Sequence, residues 1–152
     1  MFLAFKNIPI ITSNIIISEK KKNNIINDSF FYRIYYTTNN FISNGLVVNY
    51  KFIINNSETF FKKTKLNFKE KDNIHNIQNI IHIENQLLSY FNSPKMKKCS
   101  LREQLKENHI KIQNTNLPLN YSNLNLVLKI SGFWETQSEI GLTYRFFICE
   151  DI

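Results

Sequence analysis

Between Phe30 and Phe68 apolar residues tend to alternate with polar ones, whereas from Ile74 to Phe91 they recur at spacings of three and four. A period of two suits a strand with one buried face, and a period near 3.6 suits a helix with one apolar side. The change of period separates a sheet-forming segment from a helix that would cover one face of the sheet.

Aromatic and β-branched residues dominate Phe30 to Tyr36, as a pleated, half-buried surface favours. Asn44-Gly45 supplies the backbone freedom of a tight turn, so Leu46 to Ile54 is expected as the hairpin partner, with the loop reaching back towards Thr37. Phe60 to Phe68, set off by Asn55-Asn56-Ser57, is expected as a third strand. Ahead of these, Ile8 to Ile17 is broken by Pro9 and Ser13-Asn14 and reads as one or two short strands. Lys20-Lys21-Lys22 then reads as a solvated loop.

Ile74, Ile77, Ile80, Ile81, Leu87, Leu88 and Phe91 define a long helix over about 72–92, with Asp72 as its N-cap and Ser93-Pro94 as its stop. Ser100 and Glu103 have the Ser-x-x-Glu spacing of a capping box, so a short helix to about Glu107 follows. Ile110 to Gln113 is a short strand, and Asn114 to Asn123, with Pro118, is a loop. Leu124, Leu126, Leu128 and Ile130 mark the first arm of a C-terminal hairpin over about 124–149. Its second arm is Ile140 to Cys149, across the polar turn Glu135 to Glu139, and Gly132 marks a bulge. Together these elements predict one α+β domain spanning 1–152, mainly an antiparallel sheet or an OB-like barrel with one long and one short helix.

With 13 Phe and 7 Tyr the chain is too rich in aromatics to resemble a disordered one. Nineteen Lys and Arg against twelve Asp and Glu leave a net charge of +7, which attracts polyanions at long range. Heavy use of Asn, Ile and Lys is also what A/T-rich codons produce, so charge by itself does not single out nucleic acid. Cys99 and Cys149 have no paired spacing and are expected as free thiols. The apolar patches of the amino terminus are interrupted by Lys6, Pro9, Thr12 and Asn14, and no apolar run approaches 18 residues. An intracellular protein is expected, not secreted and with no membrane partner.

Alternation sorts each strand into two rows. The core row holds Phe30, Tyr32, Ile34, Leu46, Val48, Tyr50, Phe52, Phe60, Leu66, Phe68, Leu142, Tyr144, Phe146 and Ile148. On the opposite row stand Phe31, Arg33, Tyr35, Lys51, Phe61, Lys63, Lys65, Lys129, Arg145 and Phe147. Cations interleaved with rings on one surface suit single-stranded nucleic acid, because Lys and Arg neutralise phosphates while rings stack on bases. The nucleic-acid-binding set expected on this basis is Arg33, Tyr35, Lys51, Phe61, Lys63, Lys65, Lys129, Arg145 and Phe147. Charged residues also occupy ordinary solvent faces, and Phe31, Tyr35 and Phe147 would equally suit a second layer of core.

Catalytic chemistry finds little support. There is no Gly-rich phosphate loop, nucleophile elbow or Ser/His/Asp set. His75, His82 and His109 lack metal-ligand spacing and are expected in solvent, and Glu135 and Glu139 belong to a polar turn. Trp134 is expected as a core anchor of the last hairpin. No catalytic residue, metal or cofactor is expected.

Two segments, Phe31-Tyr-Arg-Ile-Tyr-Tyr with Asn44-Gly45-Leu46, and Leu128-Lys-Ile-Ser-Gly-Phe-Trp-Glu-Thr with Gly141-Leu-Thr-Tyr-Arg-Phe146, resemble small uncharacterised proteins of the nucleocytoplasmic large DNA viruses, the giant viruses. The resemblance covers about a third of the chain. It implies a viral product made in a host cell, located in cytoplasm, nucleus or virion, and supplies no catalytic residues. The expected function is a non-enzymatic nucleic-acid-binding module, with single-stranded DNA favoured over RNA and a place in viral DNA replication or packaging. The alternative is a structural or interaction protein that self-associates or binds a viral protein.

Overall fold

A computed structural model of the chain describes residues 5–6, 12–25, 28–113 and 122–149. The described residues form strands β1 (Phe5–Lys6), β2 (Ile15–Ile17), β3 (Lys21–Lys22), β4 (Phe30–Thr37), β5 (Ile42–Asn44), β6 (Leu46–Ile53), β7 (Asn56–Phe60) and β8 (Lys63–Asn67), then helix α1 (Ile74–Tyr90). They continue with β9 (Met96–Lys98), helix α2 (Ser100–Lys106), β10 (His109–Ile112), β11 (Asn123–Glu135) and β12 (Glu139–Ile148).

The longest strand, β11, organises the sheet. Along one side it pairs antiparallel with β12, from Leu126 opposite Ile148 to Glu135 opposite Ile140. On its other side it pairs first with β6, from Asn123 opposite Ile53 to Ile130 opposite Leu46, and then with β4, from Gly132 opposite Arg33 to Glu135 opposite Phe30. The change of partner falls at an irregularity between Ile130 and Gly132, the bulge expected there. A Cβ at Gly132 would overlap the Tyr32 carbonyl oxygen, so the missing side chain is what lets β4 approach.

The main strand order is β1-β6-β11-β12-β10-β8-β7, mostly antiparallel, with β1 parallel to β6 and both β9 and β10 parallel to β12. Among the described residues no ladder joins β1 to β7, so the α+β fold takes the form of an open sheet instead of an OB-like barrel. No helix among them is long and apolar enough to cross a membrane.

The expected first hairpin and the expected third strand form differently. The chain leaving β4 turns over residues 38–41, where the Thr38 N–H donates to the Phe41 carbonyl, and returns as β5 beside β4. Gly45, at φ 90, then redirects the chain from β4 to β11. Its positive φ is needed, but as a joint between two ladders, and the partner of β6 is β11. The segment Phe60–Phe68 is likewise not one strand: Asn56 and Ser57 begin β7, and Phe61-Lys62 is a two-residue turn into β8. Lys21–Lys22 form a short exposed strand against Phe31 and Phe30, where a loop was expected.

Both helices lie on one face. Ile77, Ile80, Ile83, Leu87 and Leu88 of α1 pack over Val48, Tyr50, Phe52, Leu126, Leu128 and Phe146 in a single core. Side chains of that size contribute roughly 2 kcal/mol each on burial, and the polar ties add about 1 kcal/mol apiece. Among those ties, the Tyr50 hydroxyl donates to Asn79 Oδ1 at 2.6 Å, and Asn73 Nδ2 donates to the Ile53 carbonyl while its Oδ1 accepts the Ile53 N–H. Asn73, not Asp72, is therefore the residue at the start of α1, and its side chain ties the helix to β6.

The capping box expected at Ser100 and Glu103 is replaced by a cap from another helix. Glu84 of α1 is fully buried and accepts the Leu101 N–H at 2.9 Å and the Arg102 N–H at 3.0 Å, while Glu103 faces Lys98. Desolvation raises the Glu84 pKa and outweighs the two amide bonds that lower it.

The expected core row holds with two exceptions: Phe60 is 55% exposed, and Phe30 is half-buried outside the core cluster with the Lys20 ammonium 3.7 Å from its ring. Trp134 stands outside the main core cluster, half-buried with its ring over Gly141 on the face away from the helices. His75 and His82 are exposed as expected, but His109 is buried beside Glu107. Neither Cys99 nor Cys149 is in a disulfide. Most of the expected loop 114–123, part of the Ile8–Ile17 segment and Glu150-Asp151-Ile152 lie outside the described residues.

Candidate nucleic-acid interface

The face opposite the helices is uneven. At its centre Val47 and Val127 are buried but do not belong to the core under the helices, so this part of the opposite row is covered. Lys129 and Phe147 nearby are each engaged by another group of the chain. Phe31, Arg33 and Tyr35 are half-buried in β4. Arg33 donates from Nη1 to Asn44 Oδ1 at 2.9 Å, and its guanidinium lies 5.9 Å from the Phe31 ring. Tyr35 sits in the second half of β4, opposite Asn44 and Ile16 and away from β11. Lys51 is exposed but stands near the other end of the sheet, opposite Asn125.

The remaining cations gather where β8, β10 and β12 lie side by side. Lys65 stands directly opposite Lys111 in the β8–β10 ladder. Because Ile112 is the parallel partner of Phe146, one residue back on each strand puts Lys111 beside Arg145, and Arg145 is in turn directly opposite Lys129. A row of four cations thus crosses four neighbouring strands, over about 14 Å at the usual spacing of nearly 5 Å between strands. Lys63 lies two residues before Lys65 on the same side of β8, beyond the end of β10. Lys63, Lys65, Lys111 and Arg145 take part in none of the ion pairs among the described residues. The one carboxylate in register with them is Glu58 on the edge strand β7, opposite Lys65.

Two adjoining hollows open beside this row. One, of about 410 Å3, is lined by Phe60, Lys63, Lys65 and Lys111. The other, of about 250 Å3, lies between residues of β8, β10 and β12, with Lys63, Lys111 and Arg145 at its walls. Tyr144 and Gln104 line it as well, and the Tyr144 hydroxyl donates to Gln104 Oε1 at 2.7 Å. Desolvation pushes the Tyr144 pKa up to about 12, so this hydroxyl stays protonated and remains a donor at neutral pH. Phe61, at the tip of the β7–β8 hairpin, is fully exposed with φ 51. The Arg145 guanidinium lies 5.7 Å from the Phe147 ring.

The chain matches no protein-family model, no curated protein and no solved structure.

Of the expected set, Lys63, Lys65, Lys129, Arg145 and Phe147 fall in one region with the Phe61 tip beside it, while Arg33, Tyr35 and Lys51 fall elsewhere on the sheet. Lys111 and Phe60 complete the region without having been expected there. Lys111 alternates with Ile110 and Ile112, which was signal enough to assign it to the opposite row. Phe60 was assigned to the core because the turn after it carries no Gly, Asn or Pro to mark it.

Glu135, expected in a polar turn, is a structural residue at the end of β11. It accepts from the Tyr32 hydroxyl at 3.1 Å and pairs at 3.5 Å with Lys95, the residue before β9. Among the described residues no group of three or more His, Cys, Asp or Glu could hold a metal ion.

Proposed function

We propose that this chain is a non-enzymatic nucleic-acid-binding module that takes single-stranded DNA along the outer face of β8, β10, β12 and β11. The supporting observation is the run Lys65, Lys111, Arg145 and Lys129, set side by side across four strands with Lys63 adjoining. Like charges directly opposite on a sheet destabilise it, so an anion laid across the row would relieve repulsion as well as gain attraction. Exposed rings at Phe60 and Phe61 border the row and favour a strand with unstacked bases over a duplex. Such a module would suit the viral DNA replication or packaging of a giant virus, the origin that the sequence resemblance implies.

Fluorescence anisotropy with a labelled oligothymidylate, a duplex control and the variant K65E/K111E/R145E tests this. Three or four neutralised phosphates give a slope of log K on log salt of roughly −2 to −3 for a single strand. Binding with that slope, weaker on the duplex and lost in the variant, is expected. No binding at low salt overturns the proposal and leaves the alternative of a structural or interaction protein.

A further inference from the structure

We infer that the paired hollows between the β7–β8 tip and β12 form a single-nucleotide subsite, with the base against Phe60 and its phosphate held by Lys63, Lys111 and Arg145. This rests on the proposed binding function and names the unit that the site grips.

The two hollows share Lys63 and Lys111 and differ in the rest of their walls. The larger adds the ring of Phe60, and its volume of about 410 Å3 falls in the range of roughly 300–1,000 Å3 typical of small-molecule sites. The smaller adds Arg145, whose guanidinium can meet two phosphate oxygens at once. A ligand that fills both must carry a flat apolar face at one end and negative charge at the other, which is the build of a nucleotide. An acidic peptide would satisfy the cations but leave the ring uncovered.

Phe60 faces the same side as Lys63, its direct partner across the hairpin. A ring 55% exposed beside cations contributes little to the core, and stacking a base on it removes apolar surface from water. Phe61 follows at the tip and does not line the hollow, so one base is gripped there. Glu58, opposite Lys65 on the edge strand, repels phosphate beyond this point and ends the cationic track.

The test compares F60A and K111Q on two labelled oligomers of equal length, one oligothymidylate and one of abasic sugar-phosphate. F60A is expected to weaken oligothymidylate binding about tenfold, as loss of one stacked base does, and to change abasic binding by less than about twofold. K111Q should weaken both oligomers by the same factor. If F60A binds both oligomers as the wild type does, or loses equally on both, the subsite is wrong while the cationic face stands. If the wild type binds neither oligomer at low salt, the proposed function fails and the subsite with it. Urea midpoints of the variants, expected to stay within about 0.5 kcal/mol of wild type in stability for these exposed positions, show that folding is intact.

Discussion

Lys65 on β8 faces Lys111 on β10 directly across an antiparallel ladder, cation against cation, and Arg145 is the next position along the same row on β12. Directly opposed side chains on a sheet have Cβ atoms about 5 Å apart, and like charges there oppose folding. The apolar residues on the other side of the same strands, Leu66, Ile110, Ile112 and Phe146, are buried in the core and hold the cations in this register. Burial on one face thus sets the charge density on the other.

Replacing Lys111 by Thr should therefore stabilise the free protein by a few tenths of a kcal/mol, since Thr suits a strand and the repulsion is removed. The gain should shrink in about 0.5 M salt, where screening weakens the repulsion. Urea unfolding at two salt concentrations measures both effects. An unchanged or lower stability at low salt would mean that the opposed cations already avoid one another.

Phe61 occupies the left-handed region at the first position of a two-residue turn, where type II′ hairpins carry glycine. A left-handed backbone costs an L-residue roughly 1–2 kcal/mol, and the fully exposed ring recovers nothing by packing. F61G should raise stability by about 1 kcal/mol, with a higher thermal midpoint. A loss of stability would show that the ring is held against the protein in solution.

Glu84 caps α2 from α1 through two backbone amides. E84A should cost about 2–3 kcal/mol, because both amides lose their partner and a buried space opens. Burial raises the pKa of Glu84 above its ordinary value, so between those two pKa values the folded state binds more protons than the unfolded one. The Glu84 contribution to stability is therefore full below the ordinary glutamate pKa and falls as pH rises through the folded value. Subtracting the stability–pH curve of E84Q from that of wild type isolates this downward step. A difference that rises with pH over that window would contradict it.

Gly132 and Gly141 admit no side chain. A Cβ would meet the Tyr32 carbonyl oxygen at the first and the Trp134 ring at the second. Backbone can give way less readily than a side chain, so G132A should destabilise more than G141A, the former by about 3 kcal/mol or more. Trp134 fluorescence, from the one tryptophan in the chain, should shift in G141A as its ring is displaced. Equal stability of the two variants would indicate that β4 moves away from β11 at little cost.

The long helix and the two arms of the last hairpin were legible in the sequence because their periods are strong and local. Ile74 to Phe91 repeats at helical spacing, and Leu124 to Ile130 alternates with only Val127 departing from the pattern. The turn at Phe61-Lys62 was not legible, since neither residue type marks a turn and tertiary pairing imposed a positive φ on a phenylalanine. Nor was the role of Gly45. A glycine that needs positive φ looks the same in sequence whether it closes a hairpin or redirects a strand to a new partner.

The sequence by itself determined which side of a strand a residue occupies wherever no unmarked turn interrupts the alternation, as one does after Phe60, because alternation is a property of the extended backbone and needs no partner. That was enough to put Lys63, Lys65, Lys129 and Arg145 on the opposite row. Only the tertiary structure decided which strands are neighbours. β10 enters between β8 and β12, which brings Lys111 between Lys65 and Arg145, while β4 and the far end of β6 carry Arg33, Tyr35 and Lys51 away from them. Strand order depends on long-range burial of Leu66, Ile110, Ile112 and Phe146 in one core, and residues so distant along the chain leave no local pattern of who will sit beside whom.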